Sequence, residues 1–196
     1  MTTGPTGMND EHLDDQRARF DQLLESARKD VATVSPEGKA LGRLVEGVVV
    51  RELVRQVDRR GSVMELFDPR WGWHDEPLAS VGSYSIRPNV VKGWHLHRHH
   101  QDRITVLRGE LELVLYDVRP GSATFGDICR VVLSGSSSRL VNVPENVWHA
   151  EHNIGPRDVV VINFPTAGYN HADPDKYRLP VDTPHIPFSF GNAVGG

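Results

Sequence analysis

Two hydrophobic periods divide the chain. Leu13, Phe20, Leu23, Leu24, Ala27 and Val31 stand among charged residues in the segment 11–31. Their spacing, i, i+3, i+4 and i+7, predicts an amphipathic helix. Ser35-Pro36-Glu37-Gly38 ends it, because proline lacks an N–H donor and glycine loosens the backbone. From Val45 the pattern changes to short apolar stretches rich in β-branched residues, separated by turn signals. Strands are expected at about 47–56, 62–67, 80–87, 90–97, 103–108, 110–117, 128–133, 139–143 and 157–164. The breakers include Arg59-Arg60-Gly61, Arg108-Gly109-Glu110, Pro120-Gly121-Ser122 and Asn153-Ile154-Gly155-Pro156. Many short strands at this spacing predict an all-β sandwich or barrel. Residues 1–10 read as a disordered tail, and 165–196 as a mostly irregular, Pro-rich one. The expected division is therefore a tail and helical arm at 1–44 and a β domain at 45–196.

Composition narrows the class. A chain of 196 residues, 38% hydrophobic and 24% charged, suits one globular domain plus an arm. The net charge of −4 argues against nucleic acid as a partner. No apolar run reaches the ~18 residues of a membrane span, and the N-terminus has no apolar signal core. A cytoplasmic location is expected. The single cysteine, Cys129, excludes an intrachain disulfide and any CxxC site. A metal here would have to be held by nitrogen and oxygen.

Histidine is spread unevenly. Of ten histidines, six fall within 95–100 and 149–152. On a strand, His95 and His97 point to the same side. If that side is the barrel interior, two imidazoles converge. A turn at Pro144 and Asn146 would deliver His149 onto the next strand. His99 and His100 read as surface histidines.

His95, His97, Asp102 and Gly109, with Pro144, Asn146, His149 and Asn153, resemble the two motifs of the cupin superfamily. Asp102 stands where glutamate is usual, and Asn146 where glycine is usual. Asparagine tolerates positive φ better than other side chains. The resemblance implies an all-β, cupin jelly-roll β-barrel with its site inside, here carrying an N-terminal helical arm. It also implies a possible divalent metal (Zn, Ni, Fe or Mn) held by His95, His97, His149 and Asp102. Such a protein would act on or bind a small metabolite.

Further segments resemble the dTDP-4-dehydrorhamnose 3,5-epimerase family. They are Val45-Glu46-Gly47-Val48-Val49, the run from Asp58 to Glu65, Lys92-Gly93-Trp94-His95, and the run from Tyr116 to Gly126. Tyr169 to Asp173 and Leu179-Pro180-Val181-Asp182 fall where the family has its Tyr- and Asp-containing segments. The resemblance covers about residues 45–190. It implies an isomerase of nucleotide-linked 4-keto-6-deoxy sugars that needs no cofactor and works as a homodimer.

The residue types suit that chemistry. A C–H beside a ketone is acidic because its carbanion is an enolate. A base removes the proton, a cation or donor holds the enolate oxygen, and an acid returns a proton to the other face. The resemblance makes His95 the base, Asp182 its carboxylate partner and Arg103 the cation near the keto oxygen. It places Lys92 and Arg60 on the diphosphate, Glu65 on the nucleotide of a neighbouring subunit, and Tyr169 in the substrate site. Two departures stand out. The stretch Val161-Ile162-Asn163-Phe164-Pro165 lacks the family's acid tyrosine, and Val63 replaces an aromatic residue. Three functions follow: an epimerase, a metal-dependent cupin, and a cupin that binds without catalysis.

Overall fold

The longest strands are those in which alternation buries one complete face. Leu111, Leu113 and Leu115 repeat at period two and are fully buried. A computed structural model describes residues 10–38, 41–72, 75 and 77–196. The disordered-tail expectation for residues 1–9 lies outside the described residues. The chain divides into two units, Met1–Gly42 and Arg43–Gly196.

In the first unit, helix α1 spans Asp10–Ser26 and stops short of Val31. The Ser26 hydroxyl donates to the Leu23 carbonyl at 2.8 Å, and the Ala27 N–H donates to Leu24 at 3.2 Å. These local bonds tighten and close the last turn. Phe20, Leu23 and Leu24 on this helix are exposed.

The second unit is built from strands. They are β1 (Val49–Glu52), β2 (Arg55–Asp58), β3 (Gly61–Met64), β4 (Gly82–Ile86), β5 (Val90–Leu96) and β6 (Asp102–Arg108). There follow β7 (Glu110–Asp117), β8 (Ile128–Ser134), β9 (Arg139–Val143), β10 (Val147–Asn153), β11 (Val159–Asn163), β12 (Tyr177–Arg178) and β13 (Val194–Gly195). One sheet has the order β1-β9-β6-β11-β4, the other β12-β5-β10-β7-β8, with β13 beside β5. All pairings are antiparallel except β13 with β5. Together the two sheets make the expected jelly roll. Ile104, Val106, Leu113, Leu133, Val141 and Val161 fill the space between them. The outer face of the second sheet, Val91, Trp94, Val114 and Ala150, is covered by Ile186, Phe188 and Phe190 of the tail.

The expected strand 47–56 is two strands. Leu53 breaks it: its side chain enters a cluster with Leu140 and Phe164, and its N–H bonds Ser138 at 2.9 Å. Among the described residues, the ribbon β2–β3 then pairs only with itself. The expected strand 62–67 ends at Met64, because Leu66 and Phe67 turn in to the same cluster. Strand β10 carries His149 after the Pro144 and Asn146 turn, as expected, but it has no range among the expected strands because His149, Glu151 and His152 disguise its alternation. The tail is more ordered than expected. Leu179 and Trp94 exchange two backbone bonds, at 3.0 and 3.1 Å, which dock β12 on β5. Among the described residues, no helix is long and apolar enough to cross a membrane.

One irregularity sets the site. His149 pairs with His95 while Glu151 pairs with Lys92, so β5 holds an extra residue against β10. This bulge lets Lys92 and His95 face the same side despite their odd spacing. Gly93 makes it possible. Its φ is 150°, and a Cβ there would lie 2.6 Å from the Ala150 Cβ. Gly93→Ala should lower stability by about 1–3 kcal/mol through overpacking. A fall in the denaturant midpoint at unchanged slope is the expected outcome.

Candidate active site

Three strands bring the histidines and the carboxylate of the sequence motifs together inside the barrel. His95 and His149 face each other across β5 and β10. Asn146 holds the positive φ anticipated for it, 61°, and its N–H donates to the His97 carbonyl at 2.7 Å. That bond ties the two histidine segments together. Asp102 opens β6 and shares the inward phase of Ile104 and Val106. The Asn163 amide donates to Asp102 Oδ1 at 2.7 Å.

Asp102 is the hub. Its Oδ2 lies 3.2 Å from His97 Nε2 and 3.6 Å from His149 Nε2. The opposite ring nitrogens are also held. His97 Nδ1 meets the Asp175 carbonyl, and His149 Nδ1 lies 3.2 Å from the Val147 carbonyl. A carbonyl only accepts, so both Nδ1 atoms carry protons, and His97 Nε2 donates to the Asp102 carboxylate in its imidazolium form, which Asp102 favours. His100 joins from the side, its ring centroid 4.1 Å from that of His97 and its Nδ1 2.8 Å from Asp175 Oδ2.

Charges sort the groups. Burial alone would lift the Asp102 carboxyl, but hydrogen bonds and charge from His149 and His97 hold it well below the carboxylate range. Burial would lower His97, yet Asp102 outweighs it and raises the imidazole. His95 goes the other way. Burial, with the positive charges of Lys176, His149 and Arg178, pushes it down to about 2. Its Nε2 accepts from Arg178 Nη1 at 3.0 Å. Burial raises the Glu151 carboxyl, and burial with the charge of Glu151 raises the Tyr84 phenol. Tyr84 donates to Glu151 Oε1, and Lys92 Nζ sits 4.3 Å over the tyrosine ring.

The expected site residues separate into two groups. His95, His97, Asp102, His149 and Lys92 line the interior. Arg103 does not, because strand alternation turns it outward when Asp102 faces in. It is fully buried on the outer face, where Nε donates to the Phe164 carbonyl at 2.7 Å and Nη2 to Pro77 at 2.6 Å. Its guanidinium lies 4.6 Å over the Phe67 ring. Asp182 sits in an exposed turn, and the position beside His95 belongs to Arg178. Arg60 is exposed at the tip of the β2–β3 ribbon, paired to Asp58. Glu65 is exposed and borders a cavity of about 340 Å³ with Arg51, Gln56 and Trp71. Tyr169 is exposed but borders a cavity of about 200 Å³ with His97, Asp102 and Lys176.

Sequence reasoning missed Tyr84, Glu151, Asp175, Lys176 and Arg178. Glu151 carried a signal, since it follows His149 by two on one strand. The pairing of β4 with β11 for Tyr84, and the long-range docking of the tail for Asp175, Lys176 and Arg178, left none for the others.

The metal set expected from the cupin motifs is not assembled. His95 offers its Nε2 to a guanidinium, whose charge opposes a divalent cation at that nitrogen. Among the described residues, the donors that lie within 4.8 Å of one another are those of His97, His100 and Asp102. That trio fits a cation better than the expected four.

Barrel and site together define a sugar-nucleotide epimerase type of jelly roll. Residues 43–188 match the family model described as dTDP-4-dehydrorhamnose 3,5-epimerase, and the chain belongs to that family. It is 32% identical over 140 residues to the Haloferax volcanii protein described as probable low-salt glycan biosynthesis epimerase Agl13, covering 70% of this chain and 89% of that one. It is 30% identical over 149 residues to spore coat polysaccharide biosynthesis protein SpsL of Bacillus subtilis, covering 75% and 97%. A solved dTDP sugar isomerase from Desulfovibrio desulfuricans G20 superposes with a TM-score of 0.70 at 27% identity, covering 76% and 94%.

The Asp102–His97 pair makes stability depend on pH. Depressed Asp102 contributes above the unfolded value near ~3.9 and loses that contribution as pH falls. Raised His97 contributes fully below ~6.5 and loses that contribution as pH rises through its folded value. The pair is therefore worth most between roughly pH 4 and 6.5. Asp102→Asn should remove on the order of 2 kcal/mol in that window. It should also move the His97 ring titration, followed by NMR, to lower pH.

Proposed function

We propose that this barrel epimerises a nucleotide-linked 4-keto-6-deoxy sugar by removing a proton beside the ketone. The observation that carries this is His95, a buried imidazole kept neutral beside two cations, in a member of this family. Its lone pair is free of a proton at neutral pH. Negative charge arriving with the substrate offsets Arg178 and Lys176 and raises the imidazole's basicity as the proton moves. Substrate then takes the place of Arg178 at His95 Nε2.

Return of the proton falls to Tyr84. Val161, in the stretch that lacks the family's tyrosine, pairs directly with Tyr84 across β4 and β11. The phenol thus enters from the neighbouring strand. It keeps its proton at neutral pH, and that proton, held by Glu151 in the free protein, turns from Glu151 to the carbanion carbon once the sugar is bound. Lys92 over the ring compensates the charge that develops when the proton leaves. Exposed Val54, Val57 and Val63 on or beside the β2–β3 ribbon support a homodimer in which Arg60 and Glu65 reach a partner's site. A nucleotide-sugar substrate supports action in the cytoplasm.

The trio His97, His100 and Asp102 favours one second reading, a metal-dependent cupin. One experiment separates the two. EDTA-treated protein is incubated with a dTDP-4-keto-6-deoxyhexose in D2O and followed by NMR. Deuterium should enter C3 or C5, and His95→Ala should slow entry by ~10²–10⁴-fold. Tyr84→Phe should keep exchange while losing inversion. Absence of deuterium from every such substrate contradicts the epimerase, and activity restored only by Zn, Ni, Fe or Mn selects the metal-dependent reading.

A further inference from the structure

We propose that Lys176 is the cation that holds the enolate oxygen, and that Asp175 is the residue that positions it. This rests on the epimerase reading. When the C–H bond breaks, its electron pair forms a C=C bond, and the carbonyl pair moves onto oxygen. The proton goes to His95, and the oxygen becomes negative. A fixed cation at that oxygen is worth most in a site that excludes water.

The other cations of the barrel are engaged elsewhere. Arg103 lies on the outer face among the carbonyls of Phe164 and Pro77. Lys92 sits over Tyr84, and Arg178 donates to His95. Lys176 borders the cavity of about 200 Å³ together with His97, Asp102, Asn163 and Tyr169, and no other lysine or arginine among the described residues borders it. That volume is below the ~300–1,000 Å³ of sites for whole drug-sized ligands, and His95 stands next to it, behind His97 of its wall, with the His149 ring 5.9 Å from His95 and 5.4 Å from His97. Lys176 stands two residues from Arg178, so the two share one side of the tail segment that pairs with β5, and Arg178 on that side reaches His95, the base of the same reaction.

The backbone around Lys176 is fixed from both sides. The Asp175 carboxylate accepts from the Arg98 N–H at 2.9 Å, the His99 N–H at 2.8 Å and His100 Nδ1 at 2.8 Å. Its carbonyl meets His97 Nδ1. On the other side Tyr177 pairs with Leu96 and Arg178 with His95. One acidic residue therefore clamps the tail to the histidine turn, and the next residue in sequence is delivered over the cavity. Sub-ångström placement of a charge is what preorganisation requires.

The test compares Lys176→Gln, Lys176→Arg and Asp175→Asn with the parent protein, using the deuterium exchange rate, KM and melting temperature. Lys176→Gln should slow exchange by ~10²–10³-fold, with KM changed far less and melting unaltered. Lys176→Arg should recover part of the rate because it restores the charge. Asp175→Asn should fall between them. A Lys176→Gln protein that exchanges within about threefold of the parent overturns the proposal. So does a loss that Arg does not relieve and that tracks a lower melting temperature, which marks packing alone. A parent protein that exchanges nothing overturns the epimerase reading itself, and this inference with it.

Discussion

A carboxylate kept ionised inside a protein is the constraint from which the site follows. Asp102 is almost fully buried, and its charge survives because two imidazoles and an amide converge on it. Each partner must itself be anchored, and the Asp175 and Val147 carbonyls do this by accepting from the Nδ1 atoms and so aiming Nε2 at Asp102. A buried charge without such partners would neutralise. The barrel therefore has to bring β5, β6, β10 and the tail to one point, and the bulge at Gly93 lets it do so.

The same constraint divides the histidines by role. His97 is drawn toward the charged form by Asp102, so it is a structural and electrostatic partner. His95 lies beside cations and stays neutral, which is the state a base needs. Two histidines two residues apart thus differ in protonation because of what faces them, not because of their own chemistry. The phenol–carboxylate pair of Tyr84 and Glu151, with Lys92, supplies a further polar cluster on the same interior surface.

Much of this was legible in the sequence. Period-two alternation and turn signals led to the all-β fold, and the spacing of His95, His97, Asp102 and His149 led to their convergence. The failures have physical causes. Arg103 was read as a site cation, yet it neighbours Asp102 on a strand, and adjacent side chains face opposite ways. Lys92 and His95 share a face only because of a bulge, which periodicity does not reveal. Asp182 was matched by its place in the tail, but the register of β12 puts Arg178 beside His95 instead. Asp175 and Lys176 fall in the segment expected to be irregular, since the contacts of Asp175 are some 75 residues distant in sequence. The helix carries the expected apolar residues Phe20, Leu23 and Leu24, but it ends at Ser26, short of Ala27 and Val31.

The most direct test is a crystal structure with an unreactive nucleotide-linked 4-keto sugar bound. The ring carbon beside the ketone should lie within ~3–3.5 Å of His95 Nε2. Arg178 should have left that nitrogen, and the keto oxygen should face Lys176. A sugar ring lying away from His95, or a keto oxygen bound to a metal on His97 and His100, would contradict proton abstraction by His95.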